Sequence, residues 1–140
     1  MVRLMVMDGQ GGGIGAAVIK GLRAALGNDL EILALGTNSI ATARMMKAGA
    51  NRGGTGENAV SWSCRRVDVI VGPLAVLMAN AMMGEVTARM AEAVASSRAK
   101  KILIPLTQED VVIVGASVEP LPHLVAGVSK IIGEMGRKHV

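Results

Sequence analysis

Val2-Arg3-Leu4-Met5-Val6-Met7-Asp8-Gly9-Gln10-Gly11-Gly12-Gly13-Ile14-Gly15 is the stretch that decides the fold. Up to Met7 it is apolar except for Arg3, the pattern of a strand buried on both faces of a parallel sheet. A glycine-rich turn follows directly. Beyond it, Ile14, Ala17, Val18, Gly21, Leu22, Ala25 and Leu26 recur at helical spacing. Strand, glycine turn and helix together make an anion-binding arrangement. Glycines let the backbone pass close to a phosphate, and the first N–H groups of the helix have no intrahelical acceptor. The sequence therefore predicts unpaired amides beside Gly11–Gly15, facing an open crevice.

Counted from Gly11, the turn spells Gly-x-Gly-x-x-Ala (Gly11, Gly13, Ala16), an accepted form of the dinucleotide fingerprint. Counted from Gly9, it spells Gly-x-x-x-Gly-Ile-Gly, which resembles the turn of the short-chain dehydrogenases. NAD(P) or another adenine nucleotide is thus a compatible cofactor. The competing reading is a tight turn whose glycines serve only close packing. Two features bear on the choice. The fingerprint expects an acid about 20 residues on, at the end of the second strand. That strand, Leu30–Leu35, ends in Gly36-Thr37-Asn38 with no carboxylate, although Thr37 and Asn38 can bond hydroxyls. Asp8 would repel a phosphate unless it caps the loop amides or holds a cation; capping is the favoured role.

At 140 residues the chain is predicted to form one domain with a core of its own. Apolar residues make up 51% and aromatic residues 1%, with no Phe and no Tyr, so aliphatic side chains and ten Met must fill the core. The single cysteine, Cys64, excludes an intrachain disulfide and suits a reducing, cytoplasmic setting. No signal peptide is visible, and the apolar run Leu74–Met83 falls short of the ~20 residues of a membrane span. The net charge is +4, but the cations are scattered as pairs: Arg65-Arg66, Lys100-Lys101 and Arg137-Lys138. With Trp62 as the sole aromatic, no base-stacking platform exists. A solvated basic rim is expected, with neither nucleic acid nor membrane as partner.

Further along, the pattern predicts a helix from Ser39 to Ala48, capped by Thr37 or Asn38 and stopped by Gly49. A polar, glycine-rich segment, 49–58, carries Arg52. A second helix, Gly56–Arg65, follows the cap candidate Thr55. Val67–Val71 is the third strand, and Gly72-Pro73 opens an apolar helix, Leu74–Met83. Another helix runs from Thr87 to Arg98, then a strand, Ile102–Leu106. Thr107-Gln108-Glu109-Asp110 is a turn, and Val111–Val114 an antiparallel edge strand, because so short a link cannot make a parallel crossover. A last helix starts between Pro120 and Pro122. The expected fold is α/β: a three-layer, Rossmann-like arrangement with a mostly parallel five-stranded sheet and one antiparallel edge strand. Strand orders 3-2-1-4-5 and 2-1-3-4-5 both fit.

Ligands of such sheets bind beyond the carboxyl ends of the strands. The binding candidates are therefore Asp8, Gly9, Gln10, Gly11, Gly12, Gly13, Ile14, Gly15, Thr37, Asn38, Gly72 and Pro73. Arg52 joins them if the first helix of each pair crosses the sheet edge, which brings Asn51, Thr55, Glu57 and Asn58 to the glycine turn as well. If instead Ser39–Ala48 descends, they leave the site. Arg52 would hold a phosphate or carboxylate through its fork, or is an exposed loop charge. Glu57 is read as a helix-dipole residue rather than a general acid or base. Asn80 is read as a buried hydrogen-bonding or interface residue, and Cys64 as a small core hydrophobe. His123 and His139 lack partners, so no metal or triad is expected. Without Gly-Lys-Ser/Thr after the turn, phosphotransferase chemistry of the P-loop type is disfavoured. Without Tyr, short-chain dehydrogenase catalysis is excluded. Leu74–Met83, apolar except for Asn80, predicts self-association, and the phosphate-bearing ligand is a small molecule. The alternative is an oligomeric structural or regulatory subunit without a nucleotide.

Four segments resemble, in order, a family of short bacterial proteins catalogued only as a domain of unknown function and found largely in anaerobic Firmicutes. They are Asp-Gly-Gln-Gly-Gly-Gly-Ile-Gly (8–15), Ala-Leu-Gly-Thr-Asn (34–38), Lys-Ala-Gly-Ala-Asn-Arg-Gly-Gly-Thr-Gly-Glu-Asn-Ala (47–59) and Ala-Lys-Lys-Ile-Leu-Ile-Pro (99–105). The resemblance covers nearly the whole chain. It implies a bacterial cytoplasmic protein and supplies no activity or catalytic residue.

Overall fold

In the computed structural model, which describes residues 1–106 and 109–138, the predicted first strand is the centre of the sheet. β1 (Val2–Asp8) leads through the turn into α1 (Gly13–Leu26), then β2 (Leu30–Gly36) and α2 (Ser39–Lys47). β3 (Arg52–Thr55), α3 (Glu57–Cys64) and β4 (Val69–Pro73) follow. A 3₁₀ turn at Leu74–Leu77, α4 (Ala88–Ser96), β5 (Lys100–Ile104) and α5 (Leu121–Lys138) complete the order. The five strands lie as β3-β2-β1-β4-β5 and are all parallel.

Two expectations are corrected. The sheet has no antiparallel edge strand among the described residues. Val111–Val114 belongs to no strand and is solvent-facing, and part of the turn proposed before it, Thr107-Gln108, lies outside the described residues. The fifth strand is instead Arg-Gly-Gly-Thr, 52–55, which β-propensity hides because glycine disfavours strands. Packing explains the glycine at 53. A Cβ there would lie 2.9 Å from both Met46 Sδ and Thr42 Cγ2, so only glycine lets α2 cross so close. With β3 in the sheet, Ser39–Lys47 is itself the crossover, and the edge-crossing geometry is not adopted.

Likewise Leu74–Met83 is not one helix. After the short 3₁₀ turn the chain folds tightly back, with φ of 69° at Asn80, 57° at Met82 and Met83, and 89° at Gly84. Ala75, Val76 and Ala81 are buried within the fold while Ala79, Asn80 and Met83 are exposed on the turn, so no continuous apolar helix is left as an argument for self-association.

Strand alternation sorts the core into two layers. Leu4, Val6, Ile32, Ala34, Val71 and Ile104 point toward α1, α2 and α5. Met5, Met7, Leu35 and Ile70 point toward α3, α4 and the 3₁₀ turn. Full burial of each larger side chain contributes roughly 1.5–3 kcal/mol. On the first face α5 places Val125, Val128 and Ile132 inward, with Val125 against Gly21 of α1. Asn38 Oδ1 caps α2 by accepting from Ala41 N at 2.8 Å, and Thr87 Oγ1 caps α4 by accepting from Met90 N at 3.1 Å. No described helix is long and apolar enough to cross a membrane.

Candidate functional site

The chain moves from β1 to β2 and β3 on one side, then returns through α3 to β4 on the other side of β1. The connections thus diverge at β1, and a crevice opens beyond its carboxyl end, where the glycine turn sits.

Asp8 organises that turn. It is 4% exposed, accepts from Gly9 N at 2.8 Å and from Gly15 N at 2.7 Å, and also takes the Ile14 amide. Burial raises its carboxyl above the usual range, against the pull of those amides and of Arg44. Gly12 stands at φ 72°, and a Cβ on it would meet Ala41 Cα at 2.9 Å, so the glycine is required on both grounds. Its N–H returns to Gly9 O at 2.9 Å. The Gln10 N–H goes to Glu85 Oε1 at 2.8 Å. The donor set is therefore narrower than the sequence predicts. Of the turn amides, those of Gly11 and Gly13 have no protein acceptor among the described residues.

A cation flanks that remaining pair. Arg44 of α2 donates from Nη1 to Gly11 O at 3.3 Å, and the same atom lies 3.5 Å from where a Cβ on Gly13 would stand. Arg44 is exposed and makes no ion pair with another described residue.

At the end of β2, Thr37 Oγ1 and Asn38 Nδ2 each donate to Glu85 Oε1 at 2.7 Å. Asn38 Nδ2 also reaches Gln10 O at 2.9 Å, and Thr37 N donates to Asp8 O at 3.0 Å. Partial burial would raise the Glu85 carboxyl, but its bonds to the Gln10 amide, Thr37 and Asn38 prevail and hold it below the usual range.

Gly72 and Pro73 end β4 beside this assembly. A Cβ on Gly72 would stand 2.5 Å from Met7 O, so its role is close strand packing. Pro73, together with Ile14, Met82 and Leu106, walls a crevice of about 280 Å³ whose floor includes Asp8.

Arg52 is not part of the constellation. It begins β3 opposite Leu33, and its Nη2 reaches back to Glu31 Oε1 at 3.1 Å. Arg3 Nε binds the other Glu31 oxygen at 3.0 Å, and this pairing with Arg3, then Arg52, lowers the Glu31 carboxyl. Asn51 braces Arg23 and Ile32 N, and Glu57 pairs with Arg89 at 3.2 Å. Thr55 lies opposite Gly36 and shares a 2.7 Å hydroxyl contact with Thr42. Asn80 is exposed on its turn rather than buried. Cys64 is buried, and burial pushes its thiol up to about 11. His123 is exposed, and His139 lies outside the described residues. No group of three or more metal-ligating side chains occurs among the described residues. A separate groove of about 450 Å³ lies between β2, β3 and α3, lined by Leu33, Leu35, Trp62, Arg3, Arg52 and Arg66. It shares no residue with the glycine turn.

Sequence reasoning missed Arg44 and Glu85. Arg44 could have been found by placing the predicted helix 39–48 against the turn, where it lies one turn past Ala41. For Glu85 no local signal exists, because its partners are 47 to 75 residues away.

Comparison with known proteins agrees with the fold. Residues 3–137 match the family described as Domain of unknown function (DUF3842), and the chain belongs to that family. No curated protein resembles it in sequence. Among solved structures it is similar to a dodecameric FMN-dependent UbiX-like decarboxylase from Escherichia coli O157:H7. The TM-score is 0.52 at 16% identity, over 97% of this chain and 94% of that one. At that identity the likeness is one of fold.

Proposed function

We propose that this member of the DUF3842 family binds a nucleotide-type small molecule by its phosphate, in the crevice beyond the carboxyl ends of β1 and β4. The carrying observation is the pair of Gly11 and Gly13 amides with the Arg44 guanidinium beside them, at the point where the sheet connections diverge. Two amides and a fork-shaped cation suit a phosphate better than they suit a neutral group. Asp8 turns its carboxyl onto the amides of Gly9, Ile14 and Gly15, and its role is to hold the turn in shape. A crevice of about 280 Å³ borders the turn at Asp8, Gln10 and Ile14, is lined also by Pro73 and Glu109, and has room for one ring system. The solved structure of similar fold is described as FMN-dependent, which supports testing flavin nucleotides beside adenine ones.

Thermal melts of the full chain with ADP, NAD, NADP, FMN and FAD test the reading. A ligand at about 100 times its dissociation constant adds about 2.7 kcal/mol of stability. An upward shift with at least one of them, lost in Arg44→Ala, is expected. No shift with any at millimolar concentration refutes the reading.

Self-association is a second, compatible property. Val112, Val114 and Val118 are 88%, 97% and 101% exposed along one segment. An apolar run of that kind in water marks a contact surface. The UbiX-like structure is described as dodecameric, which supports a homo-oligomer here.

A further inference from the structure

Resting on the nucleotide reading above, we propose that Glu85 is the ribose-recognising residue of the site: its carboxylate accepts the vicinal 2′- and 3′-hydroxyls of a ribonucleotide and repels a 2′-phosphate. In open parallel sheets with a glycine turn, the carboxylate that bonds a ribose hydroxyl sits at the end of the second strand. β2 has none, ending instead in Gly36-Thr37-Asn38. The structure supplies one from elsewhere. Glu85, on the return from β4, lays its carboxylate against both Thr37 and Asn38 and against the Gln10 amide of the turn.

Three features favour recognition over bracing alone. All three donors converge on Oε1, and Oε2 takes part in none of these bonds, so one oxygen is fixed while the other remains an acceptor. The bonds hold the group ionised, the form that accepts from hydroxyls. Finally, the segment that delivers Glu85 is strained. Asn80, Met82 and Met83 all lie at positive φ, a conformation that residues other than glycine adopt only where the surrounding structure holds them. The turn is closed by Asn80 N to Val86 O at 2.7 Å and Glu85 N to Met82 O at 3.1 Å, which fixes the carboxylate's position. Thr37 and Asn38 then act as positioning residues for Glu85.

The ligand class that follows is a ribonucleotide with both hydroxyls free. Titration calorimetry of the full chain with NAD, NADP, ADP, 2′-deoxy-ADP and FMN tests it. NAD is expected to bind at least about tenfold more tightly than NADP, and ADP more tightly than 2′-deoxy-ADP by a similar factor. In Glu85→Gln, which keeps an oxygen for the three donors but loses the charge, the NAD-to-NADP gap is expected to shrink to about threefold or less. The deoxynucleotide comparison uses unaltered protein and stands even if the variant fails to fold. Equal affinity for NAD and NADP, or for ADP and its 2′-deoxy form, overturns the assignment. So does FMN binding with no adenine ribonucleotide bound, an outcome that leaves the phosphate site standing. Binding of none of the probes overturns both.

Discussion

Replacing Asp8 by Asn tests whether the turn is held by a buried carboxylate. The carboxylate accepts from Gly9 N on one oxygen and from Gly15 N on the other. Asn keeps the shape and one acceptor, but turns an NH₂ group toward one of two N–H donors. That leaves a buried donor unpaired, for an expected loss of about 1–3 kcal/mol. Near the melting temperature this is on the order of 4–12 °C for a chain of this size. The pH dependence supplies the sharper signature. Burial raises the Asp8 carboxyl above its ordinary 3.8. In the window from about that value up to the raised one, the folded protein binds more protons than the unfolded chain, so stability falls as pH rises. The Asp8→Asn variant has no such titration. The difference between wild type and variant should therefore be greatest at acid pH and shrink as pH rises through the window. Urea unfolding followed by far-ultraviolet circular dichroism between about pH 3.5 and 8 measures it. Trp62 is 56% exposed, which makes its fluorescence a poor probe. An unchanged midpoint, or a difference that grows with pH across the window, refutes the account of Asp8.

Arg44→Ala should weaken the ligand that stabilises wild type by about tenfold or more, whereas Arg52→Ala, whose partner is Glu31, should leave its affinity unchanged in the same melts. Gly12→Ala places a Cβ 2.9 Å from the Ala41 backbone at φ 72° and should cost at least about 2 kcal/mol in urea unfolding. Cys64, with its thiol pushed up to about 11, should be on the order of 0.1% thiolate at pH 8 and resist alkylation until the protein unfolds, as mass spectrometry after iodoacetamide treatment will show. The double change Val112→Asp, Val114→Asp should lower the solution mass seen by light scattering without lowering the melting point, since both side chains lie off the fold.

What the sequence made legible is what local physics controls. Val2–Asp8, the helix Gly13–Leu26 and the capped helices at Asn38 and Thr87 follow from apolar periodicity and from side-chain oxygens placed before it. Asp8 as a capping group was legible too, because a carboxylate directly before a glycine turn has nearby amides to satisfy. The failures have a different cause. Arg52–Thr55 is a strand because α2 needs glycine beneath Met46 and Thr42, and that requirement acts across the sheet layer rather than along the chain. Val111–Val114 has strand composition but is solvent-facing and pairs with none of the described strands, so propensity alone does not make it a strand. Leu74–Met83 reads as one apolar helix, but it buries Ala75, Val76 and Ala81 and then turns back at the surface, and composition cannot tell that path from an unpartnered helix.

The same distinction separates the two halves of the candidate site. The amides of the phosphate half are written in one continuous stretch, since the glycines and the helix start are neighbours in sequence, and only Arg44 reaches them from α2. The half we propose for the sugar is assembled from Gln10, Thr37, Asn38 and Glu85, three segments joined only by the fold. A fingerprint search that looks for an acid after the second strand finds none and discounts the motif. Yet the chemistry asks only for a carboxylate at that position in space, and the strained return from β4 delivers one. The absence of Asp or Glu near position 38 is therefore not evidence against a ribose ligand in this chain. Thr37→Ala with Asn38→Ser, which frees Glu85 from two of its three donors while leaving a capping hydroxyl on α2, should cost discrimination against a 2′-phosphate without costing affinity for inorganic pyrophosphate. Loss of both together in the same titrations would mean that the turn and the carboxylate form one indivisible unit, and the division between phosphate half and sugar half would fail.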